Sequence, residues 1–308
     1  MPTIDQAAAS RAVLIEVANV PGAYRDHMVI IGGWVPELLY PNLGHIGSLD
    51  VDFALAPTAV TSNVYETIMK RLADAGYTMR TDPTRFTRAV AGAPEEVKVD
   101  FISGQFHDGL KLTSLQINEL RIGCLSGVDL AFKSFDRIEI VGAMPDGTIN
   151  RVHVAIVRPE AFVLIKAHAL GERVKAKDAY DIAFVLRHFQ PSLSALAESI
   201  RNLLPESIAR DGYQILKSKF ETIDSIGPVS AGRVTTDEQS ADFEQARRAA
   251  FEDAQELFRF VDGKQNGIWQ YLCLSAGSAS DGFYTPLLAL PADKSLYFET
   301  RNAAGYWP

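Results

Sequence analysis

Along this chain the apolar residues recur first with a mixture of strand and helix periods and then mainly with the helical one. Residues 4–18 read as a first helix with mixed faces. Val29, Ile30 and Ile31 form a short apolar run that stops at Gly32-Gly33, the pattern of a buried strand ending in a tight turn. Trp34–Leu39 is expected as a short helix, with Pro36 tolerated in its first turn, and 41–48 as a loop rich in Gly, Pro and Asn. Asp50–Leu55 predicts a strand. Val60, Val64, Ile68 and Leu72 recur every four residues and mark an amphipathic helix ending near Gly76. Phe86–Val90 and Val97–Ile102 predict strands around a Gly-Ala-Pro turn, and 135–141 and 149–157 predict two more. Pro159 opens a helical region that runs to about Phe189 with a break near Gly171. Residues 159–262 read mainly as helix, except for a polar stretch at 224–240, rich in Ser, Thr and Gly, that is expected as a loop. The expected fold is α/β: a small mixed sheet flanked by helices over 1–158, then a mainly helical part over 159–308. The tail from Gly277 has no assignable pattern.

Chemistry enters with the strand at 50–55. Alternate side chains of a strand point to opposite faces. Asp50 and Asp52 are therefore expected on one face and Val51, Phe53 and Leu55 on the other. Two carboxylates that close repel unless a cation sits between them. Mg²⁺, or Mn²⁺, suits the position, because it takes oxygen ligands and is often held by one or two carboxylates plus substrate phosphates. In Val97–Ile102 the same alternation sets Asp100 opposite Val97, Val99 and Phe101. If this strand lies beside the first, Asp100 becomes a third carboxylate, and three carboxylates suit two metals. Gly32-Gly33 lets backbone approach a phosphate closely, a helix starting near Trp34 adds its positive end, and Ser48 offers a hydroxyl two residues before Asp50. Each piece alone is commonplace; their order along the chain is what points to a metal–triphosphate site.

That order resembles the nucleotidyltransferase superfamily that includes DNA polymerase beta, in which a Gly-Gly or Gly-Ser turn precedes Asp-x-Asp and a third Asp follows on a neighbouring strand. The segment from Arg158 through Lys166, His168 and Arg173, followed by Lys175, Lys177, Asp178, Tyr180, Asp181 and Ile182, looks like the second half of the AbiEii/AbiGii toxin family. The resemblance spans about 28–190. Two departures stand out: a long interval between Gly33 and Asp50, and Gly47 and Ser48 where the family often carries Arg. The resemblance implies a nucleotidyltransferase core in which Asp50, Asp52 and Asp100 hold metal and carry catalysis. It implies that Gly32, Gly33, Ser48, Lys166, Asp178 and Asp181 bind a nucleoside triphosphate, with Lys166 also catalytic. It further implies transfer of a nucleoside monophosphate to RNA, tRNA in particular, and a toxin with a cognate antitoxin or a phage-defence role. Helical spacing is compatible: Ala179, Ile182, Ala183 and Leu186 make one apolar face, and Asp178 and Asp181 are surface neighbours three residues apart. His168 is expected to be structural.

Composition adds bounds. Charged residues make up 22% and the net charge is −8, so nucleic-acid binding would need a local basic groove rather than a global field. Two basic clusters could provide it: Arg80, Arg85 and Arg88, and Arg173, Lys175 and Lys177. The only cysteines, Cys124 and Cys273, lie far apart in no metal-binding spacing, and both are expected as buried thiols of a cytoplasmic protein. No apolar run is long enough to span a membrane. Two other readings stay open: the same chemistry on a small molecule or a protein side chain, and an inactive binding module on the same fold.

Overall fold

The computed structural model describes residues 5–263 apart from 61–62, 80–81, 83, 108–109, 118–119 and 174. The first helix, α1 (Gln6–Asn19), opens on Asp5, whose side chain accepts from the Ala8 amide, and this gives one of the orphan N–H groups of the first turn a partner. Strand β1 (Met28–Ile31) is buried along its whole length. Both of its faces are covered, which is why its sequence is a continuous apolar run rather than an alternating one. Helix α2 (Trp34–Leu39) follows, then β2 (Val51–Leu55), α3 (Pro57–Val60), α4 (Val64–Asp74), β3 (Thr78–Met79), β4 (Arg85–Arg88) and β5 (Val97–Gly104). A small hairpin of β6 (Phe106–His107) and β7 (Leu110–Lys111) leads to β8 (Ser114–Ile117), β9 (Leu120–Leu125), β10 (Phe135–Ala143) and β11 (Ile149–Val157).

Among the described residues the main sheet runs in the order β10-β11-β1-β2-β5-β4-β3, with β9 alongside the end of β5 and β8 beyond it. It is mixed: β1 pairs with β11 and β2 with β5 in parallel, while β1–β2 and β4–β5 are antiparallel. Phe53 stacks on Phe101, and Phe86 meets Phe101 edge-on, so neighbouring strands are joined by aromatic pairs on the buried face.

The helices after residue 158 share one hydrophobic core with this sheet. They are α5 (Pro159–Glu172), α6 (Ala176–His188), α7 (Leu193–Leu203), α8 (Ser207–Lys219), α9 (Ile226–Arg233) and α10 (Ala241–Val261). Helix α5 starts with Pro at a position that needs no N–H. It is buried on nearly every side because α6, α7 and α8 all pack against it. That is why Lys166 and His168, polar residues on this helix, are buried.

Two expectations are corrected. Asp50 stands in the bend before β2, not within it. The ladder with β1 ends at Ile31, opposite Asp52, because the partner chain turns away at Gly32, so nothing extends β2 back to Asp50. The polar stretch 224–240 contains helix α9. Its glycines are there for close approach: a Cβ on Gly227 would lie 2.6 Å from the Lys219 carbonyl oxygen and the Phe220 ring, and one on Gly232 would lie 2.9 Å from the Phe243 ring. The region 106–125, which carries no strong pattern, adds four short strands. Residues beyond 263, including Cys273 and the unassigned tail, lie outside the described residues.

The α9 packing gives a test whose sign is diagnostic. In an exposed helix Gly→Ala stabilises by up to about 1 kcal/mol. Gly227→Ala should instead lower stability by about 1–3 kcal/mol, since a backbone oxygen cannot yield as a side chain would. Chemical denaturation of the two proteins measures it, and a stabilised variant would show that α9 does not pack this way.

Candidate active site

One row of residues crosses four strands. Ile31 pairs with Asp52, Asp52 with Asp100, and Asp100 with Arg85. The parallel register of β2 and β5 therefore sets two carboxylates side by side, as the sequence predicts. Asp100 is gripped by Arg85 through two hydrogen bonds, Nε to Oδ1 at 2.7 Å and an Nη2 donor to Oδ2 at 2.7 Å. Asp52 has no ion-pair partner among the described residues. Burial, the neighbouring Asp100 and then Asp50 push the Asp52 carboxyl up to about 6, against the smaller opposing pull of Lys166 and Lys175.

The Gly-Gly turn fits closely around this row. Gly32 has φ +75°, and a Cβ there would lie 2.0 Å from Asp52 Oδ2. Glycine is thus required both by the left-handed backbone and by the carboxylate beside it. A Cβ on Gly33 would lie 2.7 Å from Ser48 Oγ and 2.9 Å from Lys177 Nζ. The turn, Ser48 and Lys177 therefore converge. Ser48 is buried, and its hydroxyl donates to the Asp50 carbonyl at 2.9 Å, which fixes the chain as it approaches β2.

The other wall comes from α5 and α6. Lys166 Nζ sits 2.8 Å from Asp178 Oδ1 and 2.8 Å from Asp181 Oδ2. Lys177 Nζ donates to Asp181 Oδ1 at 2.8 Å, and Arg173 Nε to Asp178 Oδ2 at 3.2 Å. His45 reaches the same carboxylate, its Nε2 lying 3.1 Å from Asp181 Oδ1. The Gly47 amide donates to His45 Nδ1, so these partners assign the proton to Nε2. The imidazole also stacks on Tyr180 and meets Phe184 edge-on, which ties the 41–48 loop to α6.

Burial opposes the charges of Lys166, Lys177, Asp178 and Asp181, and the pairing outweighs it for three of them. Burial alone would lower the Lys166 ammonium, but Asp181 and Asp178 hold it above its ordinary value. Burial would raise Asp178 and Asp181; Lys166 first, then Arg173 for Asp178 and His45 and Lys177 for Asp181, hold both below the usual carboxylate range. For Lys177 burial prevails and its pKa falls.

Between the two walls lies a cavity of about 190 Å³. Asp52, Asp100, Lys166, Arg173 and Asp178 supply its charge, and Phe101, Leu125, Val128 and Ile165 are among its apolar lining. Among the described residues no three His, Cys, Asp or Glu side chains form a ready-made metal cage. The donor set nonetheless fits one hard cation held by a carboxylate or two, with substrate phosphates completing its shell. Asp52 is a half-buried carboxylate beside a like charge, and it is the group whose ionised form such a cation would favour.

Residues 9–205 of this sequence match a family described as nucleotidyltransferase. The chain belongs to that nucleotidyltransferase family. No curated protein matches the sequence. Among solved structures, an H. pylori protein described as a candidate nucleotidyltransferase is 16% identical over 84% of this chain and 98% of that chain, with a TM-score of 0.38.

The structure brings Gly32, Gly33, Ser48, Asp52, Asp100, Lys166 and Asp178 to one region, with Asp50 just outside β2. Asp178 and Asp181 hold the two lysines. His168 is structural, its Nε2 2.8 Å from the Ile208 carbonyl oxygen. In the first basic cluster Arg85 grips Asp100 and Arg88 pairs with Glu16, while Arg80 lies outside the described residues. The two pairings are hidden in sequence because the partners are not adjacent in the chain. Sequence reasoning missed His45, which lies in a loop without a periodic signal. It also gave Lys177 no part in the triphosphate site.

The Asp52 shift has a measurable consequence. A carboxyl whose pKa is higher folded than unfolded favours folding most below the unfolded value of 3.8, and that contribution disappears as the pH rises through about 6. Asp52→Asn should therefore stabilise the metal-free protein by about 1–3 kcal/mol at pH 8 and by little near pH 4. Thermal melts at the two pH values measure it; an equal effect at both would contradict the assigned strain.

Proposed function

We propose that this chain is a Mg²⁺-dependent nucleotidyltransferase that moves a nucleoside monophosphate from a nucleoside triphosphate to an acceptor hydroxyl and releases pyrophosphate. The observation that carries this reading is the in-register pair Asp52 and Asp100 facing Lys166 across one cavity, beside a glycine turn too tight for any other residue.

In this reading Asp50 and Asp52 hold Mg²⁺, or Mn²⁺, which when bound offsets their charge and binds the triphosphate oxygens. Gly32, Gly33 and Ser48 face the phosphates, and Lys177 joins them because its ammonium lies beside both Gly33 and Ser48. Lys166 stabilises the charge that builds on the departing pyrophosphate. Asp178 and Asp181 act on the nucleotide through the lysines they position. Asp100 takes the proton of the acceptor hydroxyl.

The acceptor we infer is RNA, tRNA in particular, and the biological role that of a toxin held by a cognate antitoxin or used in phage defence. The resemblance of 158–182 to AbiEii/AbiGii toxins supports both. Arg173 and Lys175 are exposed where α5 hands over to α6, and the charge of Lys175 is felt at Asp52, so a cationic contact for an RNA backbone is near the reacting groups.

The test is transfer from each of four α-³²P-labelled nucleoside triphosphates, with Mg²⁺, into total RNA and total protein, beside an Asp50→Ala/Asp52→Ala double variant. The account expects label in RNA with one preferred base, abolished in the variant. Label in protein would move the acceptor to a side chain. No label in either fraction, together with no rise in melting temperature on adding Mg²⁺ and nucleotide, would favour an inactive binding module.

A further inference from the structure

The cross-sheet row carries two carboxylates, and the structure gives them different surroundings. Asp100 has both oxygens engaged by Arg85 in a fork-to-fork pair, while Asp52, its neighbour in the parallel register, has no ion-pair partner among the described residues. A divalent ion at Asp100 would have to bind a carboxylate whose two oxygens already accept charged donors, and would sit against a guanidinium. Of this pair, Asp52 is ready for a metal and Asp100 has its charge already matched.

The guanidinium keeps its proton at any working pH. Its grip on Asp100 is nonetheless open to exchange with phosphate. A phosphate presents the same bidentate acceptor geometry as a carboxylate and more charge. The Arg85 side chain is 36% exposed, so it can turn towards a ligand without strand β4 coming apart. Its neighbour Thr84 already lines the cavity.

We propose that Arg85 is a positioning residue that stands in for a second metal: the nucleotide-free site takes a single divalent cation, at Asp52, and Asp100 is released as a base or ligand only when a substrate phosphate draws Arg85 away. This rests on the nucleotidyltransferase reading above and deepens it by coupling the third carboxylate to substrate arrival.

The experiment counts Mn²⁺ bound to the nucleotide-free full chain by electron paramagnetic resonance. Wild type should bind one ion per chain and Arg85→Gln two, with Asp100→Asn added to Arg85→Gln restoring one. Arg85→Lys keeps the positive charge opposite Asp100 but cannot grip both oxygens; it should admit the second ion more weakly than Arg85→Gln, and it serves as the informative variant should Arg85→Gln fail to fold. Two ions in wild type, or one in a folded Arg85→Gln or Arg85→Lys protein across the titration, would overturn the proposal. No ion in any of them would overturn the metal reading itself, and the proposal with it.

Discussion

Two carboxylates held side by side by backbone hydrogen bonds cannot relax their repulsion by moving apart. Asp52 and Asp100 are in that position: the parallel pairing of β2 and β5 fixes their spacing as firmly as it fixes Phe53 on Phe101 one residue further on. Hydrophobic packing on one face of the sheet thus enforces electrostatic strain on the other. The surroundings are arranged about that strain. Gly32 gives up its side chain to make room for Asp52, Arg85 answers Asp100 from the next strand, and Lys166 stands across the cavity.

The helical half supplies the complementary constraint. Asp181 is fully buried and meets Lys166, Lys177 and His45, each from a different direction. Buried ion pairs add little net stability, but removing one partner leaves a charge stranded and costs about 3–5 kcal/mol. Such a cluster has few alternative arrangements, so it fixes where two ammonium groups sit relative to the glycine turn. His45 extends the same control to the loop before β2. The position of Ser48, and of the chain approaching Asp52, therefore depends on a contact with α6 far away in sequence.

Much of this is legible in the order of the residues alone, for identifiable reasons. The run Val29–Ile31, the alternation in 51–55 and 97–102, and the helical spacing around 179–186 each bury a face, and burial leaves a period in the sequence. That Asp52 and Asp100 share a face follows once those strands are neighbours with their apolar faces buried together. What the sequence does not carry is register. Whether Arg85 falls opposite Asp100 depends on where β4 turns back on β5, and a shift by one residue would have put its side chain on the other face. His45 and Lys177 act through contacts that no local period reports. Helix α9 is hidden because its glycines and serines serve close packing against Phe220 and Phe243, whereas in sequence they look like loop residues.

The fold holds Asp52 in an environment that disfavours its charge, and under the proposed function a divalent cation relieves it. A carbon-detected NMR titration of the aspartate carboxyls, with and without Mg²⁺, measures this directly, with Asp52→Asn to assign the resonance. The account predicts one carboxyl that titrates near 6 in metal-free protein and moves to lower pH when Mg²⁺ is added. An Asp52 that titrates near its unperturbed value of 3.8 without metal, or that does not respond to Mg²⁺, would contradict it.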